Sequence, residues 1–159
     1  MRIQFLLKNT GMYERLGIMT LSSILKQNGH EVKLLLTEEL GEKKIVENVK
    51  ISKPHVLAYS IMTGEHIYHI ELNQMVRSHY KNALSVFGGP HPTYSPEMIE
   101  KEHVDAICRG EGEIYFPQLV EKLEKGEDFY DIKNFWFKKK DGSIVKNSIG
   151  NLVQNLDNV

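Results

Sequence analysis

Short apolar runs alternate along this chain with stretches in which apolar residues recur every three or four positions. The runs have the length of buried strands and occupy residues 3–7, 32–36, 55–61, 84–87 and 104–108. Helical spacing follows over residues 16–25, 45–51, 67–76 and 114–123, and a shorter helix is predicted to begin at Ser95-Pro96-Glu97. The pattern therefore predicts a strand followed by a helix, five times over.

Strands that are apolar almost throughout and are joined by helices are typical of a parallel sheet with both faces covered. Right-handed crossovers leave few arrangements of such units. We therefore predict an α/β fold of the flavodoxin-like, Rossmann type. Its five-stranded parallel sheet has the order 2-1-3-4-5, with helices on both faces.

The pattern changes after Gly126. Two short β-type segments flank Asp141-Gly142, a dipeptide that favours a tight hairpin turn. We predict a Rossmann-like domain over residues 1–126, followed by a β-hairpin and a linker over residues 127–159.

Composition narrows the classes of partner. A chain of 159 residues can bury a sizeable core. Its net charge of −1 gives no reason to expect nucleic acid or an anionic membrane as a partner. The apolar runs are also too short to span a bilayer. Cys108 is the only cysteine, so no intrachain disulfide can form, and a reducing, cytoplasmic location is expected.

Candidate chemistry lies where the predicted strands end, because ligands of open α/β sheets bind at the carboxyl ends of the strands. The fourth strand ends in GGPHP at residues 88–92, and the fifth ends in RGEGE at residues 109–113. Glycines at these ends allow the backbone to approach a bulky ligand closely. A turn alone would explain one glycine, so the pair at 88 and 89 predicts a binding edge.

Several polar residues at this edge also have structural explanations. Thr63 could cap the third helix, His91 could be an ordinary loop residue, and Arg109 could pair with a glutamate of its own loop. Ser60 is harder to explain in this way, because a hydroxyl inside an apolar strand needs a partner.

No catalytic residue or metal ligand is predicted. The histidines do not cluster with cysteine or carboxylates at metal-site spacing, and no nucleophile stands beside a base in the sequence. Neither Gly-x-Gly-x-x-Gly nor a P-loop occurs, which leaves dinucleotides and nucleoside triphosphates without their usual fingerprints.

These segments resemble the cobalamin (B12)-binding domain that precedes the catalytic barrel in many radical S-adenosylmethionine (SAM) enzymes. The resemblance spans essentially the whole chain and rests on residues 27–32, 88–93, 104–113, 141–142 and 155–158. It implies a module that holds a corrinoid at the carboxyl edge of the sheet, with the nucleotide tail of the cofactor threading down beside the sheet.

The wider B12-binding fold has a three-part pattern, and this sequence matches two parts of it. Ser-x-Leu corresponds to Ser60-Ile61-Met62, and Gly-Gly corresponds to Gly88-Gly89. The third part, Asp-x-His-x-x-Gly after the first strand, is absent, because residues 8–13 read KNTGMY. The resemblance therefore implies a base-off corrinoid, with its tail base displaced from cobalt and with no histidine ligand from the protein.

The resemblance also selects the residues expected around the corrin and its tail. The predicted cofactor-binding residues are Thr10, Gly11, Ser60, Met62, Thr63, Gly64, Gly88, Gly89, Pro90, His91, Arg109, Gly110, Glu111 and Gly112.

Radical SAM enzymes bind a [4Fe–4S] cluster through Cys-x-x-x-Cys-x-x-Cys, which a chain with one cysteine cannot supply. We therefore expect a cobalamin-binding module that does not itself catalyse. Its parent enzyme, expected to be a methyltransferase, would carry SAM and the cluster in a radical SAM barrel of the same polypeptide.

Two other hypotheses remain open from the sequence. A domain of this fold that has lost cobalamin could act in docking or substrate recognition. A flavodoxin-like flavin or signalling domain ranks lower, because the strand ends lack the acidic cluster and the phosphoacceptor aspartate of receiver domains.

Overall fold

The computed structural model describes residues 1–9 and 15–152. Within them the strands are β1 (Arg2–Leu7), β2 (Glu31–Leu36), β3 (Val56–Ser60), β4 (Leu84–Gly88), β5 (Ala106–Cys108), β6 (Phe135–Lys138) and β7 (Ile144–Lys146). The helices are α1 (Leu16–Gln27), α2 (Glu42–Ser52), α3 (His66–His79), α4 (Pro90–Tyr94) and α5 (Tyr115–Lys125), and a 3₁₀-helix (Pro96–Glu100) follows α4.

The first five strands are parallel and lie in the order β2-β1-β3-β4-β5, so the predicted α/β class and flavodoxin-like arrangement are confirmed. The hairpin differs in detail, because β6 pairs antiparallel with β5 and β7 pairs antiparallel with β6. The described sheet is therefore mixed and has seven strands. Phe135 and Phe137 alternate inward along β6 and are buried, so joining the sheet covers them and pairs the open edge of β5.

Side chains alternate between the two faces of the sheet and form two apolar clusters. One cluster, which includes Phe5 and Val86, lies under α1 and α5. The other, which includes Tyr59 and Phe87, lies under α2 and α3. The helices therefore cover both faces, as the apolar runs predict.

The local helix signals hold in part. Helix α1 ends at Gln27, and Gly29 follows with φ +81°, the left-handed conformation that Asn28-Gly29 predicts. Pro96 begins a 3₁₀-helix, but the side chain of Ser95 makes no capping hydrogen bond there. No helix within the described ranges is long and apolar enough to cross a membrane.

Candidate cofactor site

A cavity of about 230 Å³ lies between the sheet and helices α1 and α5. One water needs only about 10–15 Å³ of such space, so the cavity has room for an aromatic group. Its lining residues are Phe5, Gly17, Leu21, Ala58, Tyr59, Ser60, Val86, Gly88, Gly89, Cys108, Gly110, Glu111, Gly112, Glu113 and Phe116.

The strand register divides the cavity into two levels. At the lower level Phe5 is in register with Ala58, and Ala58 with Val86. At the upper level Ser60 is in register with Gly88. A strand rises about 3.3 Å per residue, so the levels are roughly 7 Å apart. The lower level is apolar, whereas the upper level carries the polar side chains.

Gly88 keeps the upper level open. A Cβ at Gly88 would make ordinary van der Waals contact with the Cβ of Cys108, 3.8 Å away, and would meet nothing closer. A longer side chain would extend from there into the cavity. The missing side chain therefore accounts for the open space at this point.

Gly89 has a different reason for being glycine. Its φ is +94°, and a Cβ would lie 2.8 Å from the carbonyl oxygen of Ile61. The amide of Ile61 donates to the carbonyl of Gly88 at 2.9 Å, and the amide of His91 donates to the carbonyl of Ile61 at 3.1 Å. The backbone directly after β3, at Ile61, therefore makes the close approach to Gly89. This contact fixes the turn beside the cavity.

His91 lies buried in α4 and faces the loop after β3. Its ring stacks on His66 with centroids 4.0 Å apart, and its Nδ1 lies 3.3 Å from the Thr63 hydroxyl. Burial, with a smaller contribution from His66, lowers the pKa of His91. The ring is therefore neutral at pH 7, and it is part of the structure of this edge instead of a plain loop residue.

Residues after β3 form the rim of the site. Ser60 lines the cavity, whereas Met62, Thr63 and Gly64 are exposed. Thr63 contacts His91 and does not cap α3, which begins without a side-chain capping hydrogen bond. The capping explanation for Thr63 is therefore wrong. Pro90 is the exposed first residue of α4.

The loop after β5 covers the upper level and is held by Asn134, which has φ +67°. The Asn134 carbonyl accepts from the Arg109 amide at 2.8 Å, and its side-chain Nδ2 donates to the Glu111 carbonyl at 2.7 Å. Its Oδ1 accepts from the amide of Gly150 at 2.6 Å. We call this set of bonds the Asn134 clamp; it ties the roof of the cavity to the segment around the hairpin.

Two further residues of this loop behave differently. The amide of Gly110 donates to the Thr93 hydroxyl at 2.9 Å, which joins the loop to α4. The guanidinium of Arg109 lies 4.8 Å from the centre of the Trp136 ring. Arg109 thus stacks on the hairpin and is not among the residues that line the cavity.

A family model described as "B12 binding domain" matches residues 6–120, which include every residue that lines the cavity except Phe5. The chain belongs to the B12-binding domain family.

Curated relatives of this B12-binding domain are larger proteins. An uncharacterized methyltransferase of Pyrococcus horikoshii is 30% identical over 148 residues, which are 91% of this chain and 32% of the relative. An anaerobic magnesium-protoporphyrin IX monomethyl ester cyclase of Synechocystis sp. is 32% identical over 148 residues, 89% of this chain and 30% of the relative. The chain thus spans about a third of these relatives.

Solved structures share the fold. The cobalamin-dependent SAM radical enzyme OxsB, with aqua-cobalamin and SAM bound, has a TM-score of 0.78 at 22% identity. The match covers 95% of this chain and 22% of OxsB. The radical SAM methyltransferase TsrM from Kitasatospora setae has a TM-score of 0.81 at 16% identity, over 92% of this chain and 30% of TsrM.

Several residues of the B12-binding domain that line the cavity are not among the predicted site residues, namely Phe5, Gly17, Leu21, Ala58, Tyr59, Val86, Cys108, Glu113 and Phe116. Most belong to the apolar pattern of strands and helices, which does not distinguish a cavity wall from core. Glu113 belongs to the RGEGE segment, and its carboxylate at the end of the fifth strand is the sequence feature that could have identified it as a site residue. Thr10 and Gly11 lie outside the described residues.

Cys108 contributes volume to the cavity wall instead of reactivity. Burial, together with the nearby negative charge of Glu113, raises the pKa of the thiol to about 12. The thiolate, which is the nucleophilic form, is therefore scarce at pH 7. Cys108 therefore behaves as a small buried apolar side chain.

Proposed function

We propose that this domain binds cobalamin, with the nucleotide tail in the cavity and the corrin ring over the carboxyl edge of the sheet. The observation that carries the proposal is the open cavity beside Gly88. Its apolar lower level suits the aromatic base of the tail, and its polar upper level suits the sugar and phosphate that follow. The bound corrinoid would supply cobalt, whose chemistry belongs to the cofactor.

We further propose that the corrinoid is held base-off, without a histidine ligand from the protein. A tail base in the lower level of the cavity would lie beside the sheet. It would be away from the corrin ring, which would rest on the carboxyl edge of the sheet. The first loop offers no histidine in its sequence, KNTGMY. His91, at the rim, is buried between Thr63 and His66. These observations support a cobalt without protein nitrogen on its lower face.

The parent activity is also a proposal. We propose a radical SAM enzyme whose barrel, [4Fe–4S] cluster and SAM site belong to the same polypeptide as this domain, and whose reaction is methyl transfer. The names of the Pyrococcus relative and of TsrM support methyl transfer, whereas the Synechocystis relative is a cyclase. A Cys-x-x-x-Cys-x-x-Cys motif encoded downstream would support the barrel, and its absence there would count against it.

Loading with hydroxocobalamin tests the proposed function. We expect the pigment to comigrate with the protein on gel filtration and its visible spectrum to change to a base-off form. Protein that stays colourless would contradict cobalamin binding and would favour the docking alternative. After reduction to Co(II), the electron paramagnetic resonance spectrum should lack axial nitrogen splitting; such splitting would contradict the base-off, histidine-free state.

A further inference from the structure

One carboxylate oxygen at the cavity has no hydrogen-bond partner within residues 1–9 and 15–152. Oε2 of Glu113 is buried from solvent, and no atom of the described chain makes a hydrogen bond to it. Glu113 lines the cavity just before α5. Buried polar atoms are nearly always hydrogen-bonded, so such an atom in a cavity wall calls for an explanation.

The neighbouring charged groups do not provide one. The guanidinium of Arg109, in the same loop, is stacked on Trp136, and its buried Nε makes no hydrogen bond to Glu113 or to any other described residue. A second carboxylate oxygen without a partner, Oε2 of Glu65, has a different setting, because its sister oxygen pairs with Arg15 at 2.8 Å. An ionised carboxylate only accepts hydrogen bonds, so the partner that Glu113 lacks is a donor.

The place of Glu113 in the cavity indicates which donor it would meet. It precedes Phe116 by about one helical turn, and Phe116 packs edge-on against Phe5 at the apolar lower level, with ring centroids 6.3 Å apart. Glu113 therefore belongs to the upper level, with Gly112, Cys108 and the half-buried Ser60. A ligand with an aromatic base in the lower level brings its sugar to this height.

We propose that Glu113 accepts a hydrogen bond from a ribose hydroxyl of the corrinoid tail, and that it is a specificity-determining residue for corrinoids that carry this tail. The inference rests on the proposed function. Cobinamide, which has the corrin ring but lacks the nucleotide, separates the two ideas because it cannot offer a ribose hydroxyl.

The test measures the affinities of cobalamin and cobinamide for the wild type, Glu113→Ala and Glu113→Gln. Hydrogen bonds to charged groups are worth enough that Glu113→Ala should weaken cobalamin binding roughly tenfold to a hundredfold. Cobinamide affinity should change by less than about twofold, because only the tail meets Glu113. Glu113→Gln should recover part of the loss, since its amide oxygen still accepts. Glu127→Ala, at an exposed glutamate after α5, is the matched control and should change neither affinity.

The unliganded protein gives a second readout. Since Oε2 has no partner among the described residues, Glu113→Ala should not lower the melting temperature, whereas a purely structural role would lower it. If Glu113→Ala weakened the binding of cobalamin and of cobinamide equally, or left cobalamin affinity unchanged, the inference would be overturned. The proposed cobalamin-binding function would still stand in either case. Failure of the wild type to bind either corrinoid would instead reject the proposed function.

Discussion

The two faces of the sheet are packed differently, although the same strands supply both. Under α2 and α3, the rings of Tyr59 and Phe87 stack with centroids 4.4 Å apart, and both side chains are buried. One position away along the same strands, Ala58 and Gly88 face the other side and border a cavity of about 230 Å³. Large and small residues alternate with the period of a strand.

This difference teaches that the cavity is a property of one face and not of a loosely packed fold. Beneath α2 and α3, the space beside β3 and β4 is filled by large rings and a buried polar network. On the face under α1 and α5, the small residues Ala58, Ser60 and Gly88 of the central strands border the cavity. Substitutions on the first face should therefore act on folding, and substitutions on the second face should act on ligand binding.

The largest effect is expected from Phe87→Ala on the packed face. Truncating a buried phenylalanine costs about 3–5 kcal/mol through lost burial and the cavity that remains. The free energy of unfolding, measured by urea denaturation, should fall by this amount. A loss below about 1 kcal/mol would show that the face is not tightly packed.

Gly88→Leu should act on the opposite face and on binding. Burying an aromatic group removes about 150–250 Å² of surface from water, which contributes about 4 kcal/mol or more to binding. Displacing the tail base from the cavity should therefore lower cobalamin affinity by a factor of about a hundred or more. Gly88→Ala is the matched control, because its Cβ has room 3.8 Å from Cys108 and should weaken binding far less. Equal affinities of the Leu variant and the wild type would refute a tail in this cavity.

Asn73→Ala should have an intermediate effect on stability. Oδ1 of Asn73 accepts from the Tyr59 hydroxyl at 3.1 Å and from the Ser85 hydroxyl at 2.8 Å, and Nδ2 donates to the His103 carbonyl at 2.7 Å. Leaving these buried groups without partners costs on the order of 1–3 kcal/mol in unfolding free energy. Adding Tyr59→Phe removes the hydroxyl that Asn73→Ala leaves without an acceptor, so the double variant should recover part of the lost stability. A double variant whose loss of unfolding free energy equals the sum of the two single losses would contradict the network.

The smallest effect is expected from pH. His69 is fully buried; its Nδ1–H donates to the Glu65 carbonyl at 2.9 Å, and its Nε2 accepts from the Lys8 amide at 3.3 Å. Burial lowers the pKa of His69 below its ordinary value of 6.5, so the unfolded chain takes up the proton first. Stability should therefore be full above about pH 6.5 and fall as the pH drops below it.

Melting temperatures between pH 7.5 and pH 5 measure this loss. His69→Gln cannot titrate and should show a flatter profile over the same range, even if its melting temperature is lower throughout. Parallel profiles for the wild type and the variant would assign the acid sensitivity to other groups.

The fold was predictable because its strands are short apolar runs and its helices have regular spacing. The glycine-rich strand ends likewise indicated the edge at which the cavity lies, since Gly88 and Gly112 line it. The depth of the site could not be predicted in this way, because Phe5 and Phe116 have the same periodicity as core residues. The contact between His66 and His91 depends on loop conformations that residue spacing does not determine.

The Asn134 clamp has a consequence for where this domain can be divided. The cavity walls come from residues before Gly126, but the bonds that hold the roof come from Asn134, and Asn134 is itself bonded to Gly150. A polypeptide shortened after Gly126 would lose these bonds and also the buried Phe135 and Phe137, which pack in the same apolar cluster as Phe5 and Val86. A fragment designed to keep the shape of the pocket should therefore extend through Gly150.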